Sequence, residues 1–249
     1  MKLTVIGCAG TFPGPASACS SYLVEHDGFR LLLDAGNGST GALQRAVGLL
    51  DLDAIVISHM HGDHFLDLVT YTYARRYHPA GTPECLPVYG PSDIERHLMG
   101  AFGRPVDELL HAVYDFYPQS GPGRLSIGPF DVELARVNHP VETYAMRISA
   151  GGRSLTYSAD SGVCDELVKL ASGTDLFLCE ASYLDGEDNP PNIHLTGREA
   201  AEHATRAEVG RLVLTHLVPW GDQDRTLAEA EAGFDGELSV AAADATFEI

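Results

Sequence analysis

The feature that most constrains this chain is a cluster of polar residues directly after a short apolar stretch. Residues 54–57 form a predicted buried strand, and His59, His61, Asp63 and His64 follow it within a stretch of six residues. A loop that leaves a strand end can direct His59 and His61 to one point and Asp63 with His64 to another. Imidazole and carboxylate ligands suit zinc, manganese or iron. The spacing therefore predicts a metal site rather than a solvated histidine-rich loop.

Three more candidate ligands occur later in the chain, each after a strand-like stretch. His139 lies in Arg-Val-Asn-His-Pro, Asp160 in Tyr-Ser-Ala-Asp-Ser and His216 in Leu-Thr-His-Leu. With the His-x-His-x-Asp-His segment, these motifs resemble the metallo-β-lactamase superfamily over essentially the whole chain. The resemblance implies two divalent metal ions, zinc first, with manganese or iron as alternatives. It implies that His59, His61 and His139 hold one ion and that Asp63, His64 and His216 hold the other, with Asp160 bridging them.

The order of strands and helices predicts an α/β fold. Residues 20–26 and 29–34 flank Asp27-Gly28, a strong hairpin signal because glycine tolerates positive φ. Each half of the chain then passes from antiparallel strands into alternating helices and strands, which favours two α/β halves packed sheet to sheet. The resemblance implies a four-layer αβ/βα metallo-β-lactamase sandwich. We find no linker, so residues 1–249 are expected to form one domain.

Two segments are predicted in more detail. Residues 40–49 are expected to be helical. Residues 79–128 are rich in proline and glycine, and we expect irregular structure there apart from a strand at 88–89 and a helix at 92–102.

A glutamate and a histidine in the second half indicate the type of reaction. Glu180 in Cys-Glu-Ala-Ser and His194 in His-Leu-Thr resemble paired motifs of the tRNase Z-like phosphodiesterase branch. The resemblance implies that Glu180 orients His194, which protonates the leaving oxygen. We expect Asp63 both to bind a metal and to orient the metal-activated hydroxide. Hydroxide at the metals cannot also protonate a departing alkoxide. The alternatives are a surface position for His194 before a helix-capping Thr196 and a solvated strand end for Glu180.

The charge of the chain restricts its partners. There are 16 basic and 35 acidic residues, so the formal net charge is −19. Binding to a polyanion relies on neutralisation by lysine and arginine, so an extended nucleic acid or an anionic membrane surface is not expected as a partner.

The spacing of two motifs also bears on tRNA binding. In a short bacterial tRNase Z, an arm that grips the tRNA lies between the third histidine and the bridging aspartate. Only 21 positions separate His139 from Asp160 here, which leaves no room for that arm.

These features predict a small phosphodiester as the substrate. The stretches around Ser20-Ser21-Tyr22-Leu23 and Thr215-His216-Leu217-Val218-Pro219-Trp220 are similar to an actinobacterial group of cyclic-nucleotide phosphodiesterases. This resemblance implies hydrolysis of cAMP or cGMP. Two alternatives stay open, a tRNase Z-like endonuclease that processes RNA 3′ ends and a metal-binding or sensor protein with little turnover.

Location and assembly are predicted from weaker features. The chain has no signal-peptide pattern and no apolar run long enough to span a membrane. Its five cysteines form no Cys-x-x-Cys pair, so we expect a cytoplasmic protein with reduced thiols. Relatives in the family imply a homodimer. Trp220, the only tryptophan, is expected either to stack on a base at the rim of the site or to pack within the fold.

Overall fold

Two β-sheets and the helices outside them account for most of the chain, in a computed structural model that describes residues 1–81, 83–103 and 105–249. The strands are β1 (Lys2–Ala9), β2 (Ala18–Cys19), β3 (Ser21–His26), β4 (Phe29–Leu33), β5 (Ala54–Val56), β6 (Leu86–Pro91), β7 (Tyr114–Gln119), β8 (Gly123–Ile127), β9 (Phe130–Arg136), β10 (Tyr144–Ala150), β11 (Arg153–Tyr157), β12 (Leu176–Glu180), β13 (Arg211–Thr215), β14 (Glu237–Val240) and β15 (Thr246–Glu248). The helices are α1 (Ser39–Leu43), α2 (Gly62–Phe65), α3 (Asp67–Arg76), α4 (Ile94–Phe102), α5 (Asp107–His111), α6 (Asp165–Ala171), α7 (Gly197–Arg206) and α8 (Gln223–Glu231).

Each sheet combines antiparallel and parallel strands, as the sequence predicts. The first sheet has the order β15-β1-β3-β4-β5-β6-β7, with β2 beside β1, and the second has the order β14-β13-β12-β11-β10-β9-β8. Strands β4 to β7 run parallel to one another, and so do β11 to β14. The carboxyl ends of the parallel strands within each sheet therefore lie at the same edge.

The strands bury apolar side chains on both faces, so each sheet needs a covering layer on each side. In β3, Tyr22 and Val24 pack in the core between the sheets, whereas Leu23 packs against the helices outside the first sheet. In β13, Val213 joins the central core and Leu212 joins the outer core under α6, α7 and α8. The predicted four-layer αβ/βα sandwich is confirmed.

The expectation of irregular structure across residues 79–128 is wrong in part. Besides the predicted strand and helix, this segment contains α5, β7 and β8. Both new strands lie at sheet edges, where one side of the strand lacks a neighbour. In β7, Tyr114 is fully buried while most later residues are exposed or half-buried and include Pro118, so the apolar alternation of a strand is weak there.

The predicted helix over residues 40–49 is also too long. Helix α1 ends at Leu43, and the chain continues in tight turns in which the Arg45 amide donates to the Ala42 carbonyl at 3.0 Å. Thr196 caps α7 as the sequence indicates, and it does so within a capping box. The Thr196 hydroxyl accepts from the Glu199 amide, and the Glu199 carboxylate accepts from the Thr196 amide.

No helix in the described part of the chain is long and apolar enough to cross a membrane. Helices α3 and α7 have ten residues each, about half the number that a membrane-spanning helix needs.

Candidate metal centre

All seven predicted metal ligands lie close together at one edge of the two sheets. They form two groups, and within each group the nearest ligand atoms lie within 4.8 Å of one another. Asp160 belongs to both groups, which is the arrangement that a bridging carboxylate requires. The first group is His59, His61, His139 and Asp160, and the second is Asp63, His64, Asp160 and His216.

The ligands come from loops that follow strand ends in both sheets. The first four lie in the turn and short helix after β5, a strand of the first sheet. The second sheet supplies His139 after β9, Asp160 after β11 and His216 after β13. Because β11, β12 and β13 are parallel, Asp160, Glu180 and His216 start from the same edge. The sandwich thus brings together residues far apart in the sequence.

The loops at this edge hold strained backbone. Ala159, directly before Asp160, has φ of 54°, and His216 has φ of 57°. For residues other than glycine this left-handed region costs about 1–2 kcal/mol each. A Cβ atom on Gly10 would lie 2.4 Å from the His216 carbonyl oxygen, so only glycine lets this loop pass so close to the ligand. Such strain is often concentrated at functional sites.

One buried aspartate holds His64 directly through Nδ1 and holds His59 through the Ser58 hydroxyl. Asp34 Oδ2 lies 2.8 Å from Nδ1 of His64 and 2.8 Å from the Ser58 hydroxyl. A carboxylate only accepts, so both groups donate to it. The Ser58 oxygen, 3.0 Å from Nδ1 of His59, then accepts from that ring. With Nδ1 donating in both rings, Nε2 is the atom that His59 and His64 present to the centre.

The two later histidines are also held through Nδ1, one by a backbone carbonyl and the other by a serine. His139 Nδ1 lies 2.9 Å from the Ile193 carbonyl oxygen, which can only accept. The Ser182 hydroxyl donates to the His216 carbonyl at 2.7 Å, so its oxygen accepts from Nδ1 of His216 at 2.8 Å. With Nδ1 donating in each ring, Nε2 is the atom that His139 and His216 direct toward the other ligands.

This donor set fits a metal ion. Nε2 of His64 and Nε2 of His216 face each other at 3.2 Å, although each ring already donates through Nδ1. A cation, either a proton or a metal ion, must lie between such atoms. Among the described residues, His59 Nε2 and Asp160 Oδ1 are buried polar atoms with no hydrogen-bond partner. A bound metal would satisfy them, whereas a buried polar atom left without a partner is destabilising.

The charges of the site favour metal binding as well. Burial, with repulsion from His64, holds the pKa of His59 well below its usual value, and burial also lowers the pKa of His61 and His139. These rings are therefore neutral and ready to coordinate. Burial alone would raise the pKa of Asp160, but the surrounding imidazoles outweigh it and hold that pKa well below its usual value. The carboxylate is therefore ionised.

Asp34 is the functional residue that sequence reasoning missed. It is fully buried at the end of β4, and its carboxylate accepts from the Ser58 amide at 2.7 Å and from the Tyr157 hydroxyl at 2.8 Å, besides the Ser58 hydroxyl and His64. With Asp160, it outweighs the effect of burial on His64 and raises the pKa of that ring. The sequence signal was an aspartate that ends the apolar run Phe-Arg-Leu-Leu-Leu-Asp.

Glu180 and His194 form a pair beside both ligand groups. Glu180 is fully buried, and its Oε1 accepts from His194 Nδ1 and from the Ser161 amide, both at 2.8 Å. The His194 ring lies 5.5 Å from the ring of His216 and 5.6 Å from that of His139. Burial lowers the pKa of His194, but the Glu180 carboxylate and the charge of Asp160 outweigh it and raise the pKa to about 9. Glu180 is therefore not a solvated strand end, and the His194 side chain is only 15% exposed rather than lying at the surface.

The chain matches known proteins over nearly its whole length. Residues 29–217 match the family model of the β-lactamase superfamily domain, and this range contains all seven ligands. The chain belongs to the metallo-β-lactamase superfamily. It is 34% identical over 244 residues to the probable metallo-hydrolase YhfI of Bacillus subtilis, with 97% of each chain covered. The crystal structure of YhfI, which is described as a metallo-β-lactamase fold protein, superposes with a TM-score of 0.88 at 31% identity and 99% coverage of both chains.

Two further relatives within the metallo-β-lactamase superfamily differ in what is known of them. An uncharacterised protein of Mycobacterium tuberculosis is 38% identical over 254 residues, covering 100% of this chain and 92% of its own length. A ribonuclease Z of Mycobacterium bovis is 30% identical over 271 residues, covering 96% of this chain and 95% of its own. The chain is thus a metallo-hydrolase of this superfamily, with His/Asp clusters that could hold metal ions.

Proposed function

We propose that this protein is a phosphodiesterase that uses two divalent metal ions, most simply zinc, to hydrolyse a small nucleotide phosphodiester such as cAMP or cGMP. The observation that carries the proposal is the Glu180–His194 pair beside the two ligand groups. Hydrolysis of a phosphodiester releases an alkoxide, which needs a proton. A histidine held by a buried carboxylate meets that need.

The two ligand groups and the Glu180–His194 pair have different roles in the proposed reaction. Metal ions bound by the seven ligands would supply an activated water and positive charge for the phosphate. Glu180 fixes the His194 ring through Nδ1 and leaves Nε2 to hold the proton for the leaving ribose oxygen. Asp63, whose Oδ2 accepts from the Thr11 amide at 2.8 Å and lies 3.1 Å from Nε2 of His216, is fixed to orient the attacking water.

The shape of the chain supports a small substrate. Strands β10 and β11 pair from Met146 with Tyr157 to Ala150 with Arg153, and Gly151-Gly152 forms the turn between them. This hairpin fills the segment between His139 and Asp160, so a projecting arm that could hold tRNA has no place there. The net charge of −19 also disfavours a polyanion. Two bound cations would make only the site locally positive, which suits a single phosphodiester.

The similarity to a ribonuclease Z supports a second candidate, an endonuclease that processes RNA 3′ ends. A turnover panel separates the two. The metal-loaded protein is incubated with cAMP, cGMP, 2′,3′-cyclic nucleotides, an aryl phosphodiester and a precursor tRNA. We expect hydrolysis of cyclic nucleotides without cleavage of the precursor. Cleavage of the precursor at its 3′ end would favour the endonuclease, and a metal-loaded protein inert on every phosphodiester would favour a sensor.

A further inference from the structure

Trp220 is an exposed aromatic residue that is held in place on one side only. The structure leaves 78% of its surface open to solvent, so it does not pack within the fold. Its ring stacks on Phe12, with the ring centroids 4.3 Å apart and the planes at 28°. Phe12 therefore covers one face of the indole and leaves the other face free.

The loops that carry this pair are joined to the second ligand group. The Gly10 amide donates to the Leu217 carbonyl at 3.0 Å, next to the ligand His216. The Thr11 amide donates to Oδ2 of the ligand Asp63 at 2.8 Å, so the residue before Phe12 touches the metal centre itself. The stacked pair is thus fixed at the rim of the site, beside Asp63 and His216.

We propose that the Phe12–Trp220 pair is the platform on which the nucleobase of the substrate stacks. This inference rests on the proposed function, because it assigns the base of that nucleotide to a surface continuous with the metal centre. A planar base matches the open face of the indole, and stacking of bases on aromatic side chains is strong and tolerant of sequence. The platform would therefore bind purine cyclic nucleotides with little preference between them, while the metal centre binds the phosphate.

Substitution of Trp220 tests the platform through KM. With cAMP, Trp220→Leu should raise KM about 5- to 100-fold at nearly unchanged kcat, as expected for the loss of one stacked base. Trp220→Phe should restore most of the affinity. A base-free ribose cyclic phosphate should give the same KM with both variants and the wild type. The matched control is Tyr77→Leu, which removes another exposed aromatic residue, a tyrosine stacked on Tyr73 at the far end of α3.

The single tryptophan also permits a test without turnover. In the metal-loaded wild type, AMP should quench the fluorescence of Trp220, since no other tryptophan is present in the chain. Phe12→Leu should weaken this quenching. Unchanged fluorescence at saturating AMP, or an equal loss of turnover on cAMP and on the base-free substrate in Trp220→Leu, would overturn the platform while leaving the phosphodiesterase intact. Quenching in a protein without phosphodiesterase activity would instead overturn the proposed function alone.

Discussion

His194 Nδ1 lies 2.8 Å from Oε1 of Glu180, a carboxylate with no exposed surface. The same carboxylate accepts from the Ser161 and Ser182 amides, so its position is fixed from three directions. This geometry leaves Nε2 as the atom of His194 that can exchange a proton. Because neither residue is among the seven predicted ligands, we expect removal of the pair to affect proton transfer and to spare metal binding.

We expect His194→Ala to lower kcat on cyclic nucleotides by about 10²–10⁴, the usual contribution of a general acid. The loss should be smaller with a 4-nitrophenyl phosphodiester, because that leaving group needs no proton. Steady-state kinetics on both substrates measure the difference, and His97→Ala is the control for loss of a half-exposed histidine elsewhere. An equal loss on both substrates would contradict the acid role.

The pH profile should move when Glu180 loses its charge. An acid must be protonated, so kcat should fall as pH rises through the pKa of His194. Glu180 raises that pKa, and Glu180→Gln should therefore shift the alkaline limb to lower pH. The amide keeps a hydrogen-bond acceptor for Nδ1, so the ring should stay in place. A profile with the limb unmoved would show that another group controls it.

Asp160 should matter more for metal content than any ligand of one group alone. It belongs to both groups, whereas His61 belongs to the first. We expect Asp160→Asn to bind both ions more weakly and His61→Ala to keep the second ion. Mass spectrometry of metal in dialysed protein gives the stoichiometry, with circular dichroism to establish folding. Full metal content in a folded Asp160→Asn protein would be incompatible with a bridging role.

Asp34 is expected to act through His64 and Ser58 rather than at the metals. Asp34→Asn should weaken metal affinity about 10- to 100-fold, because a partner of this kind fixes the ring and raises its basicity. A chelator competition assay measures the affinity. Asp175→Asn is the matched control, since Asp175 also accepts from a backbone amide, that of Ser154, but lies outside the site. Equal affinities in the two variants would argue against the positioning role of Asp34.

The seven predicted metal ligands were found from the sequence because the His-x-His-x-Asp-His segment is distinctive and the family resemblance identifies His139, Asp160 and His216 in the later motifs. Apolar runs and hairpin turns are local signals, so the two α/β halves were also predictable, and the family resemblance implied the four-layer sandwich. Asp34 was not, because the Ser58 and Tyr157 groups that define its role lie 24 and 123 positions away and meet it only in the fold. Strands β7 and β8 were missed for another reason, since edge strands need fewer apolar residues than central ones.

The origin of the ligands in both sheets has a consequence for stability. Four ligands extend from the first sheet and three from the second, so bound ions would fasten one sheet to the other across the edge of the sandwich. A ligand that binds only the folded state stabilises it by about 2.7 kcal/mol when its free concentration is a hundred times Kd. The melting temperature should therefore climb with free metal concentration, and a chelator should act on this protein as a mild denaturant.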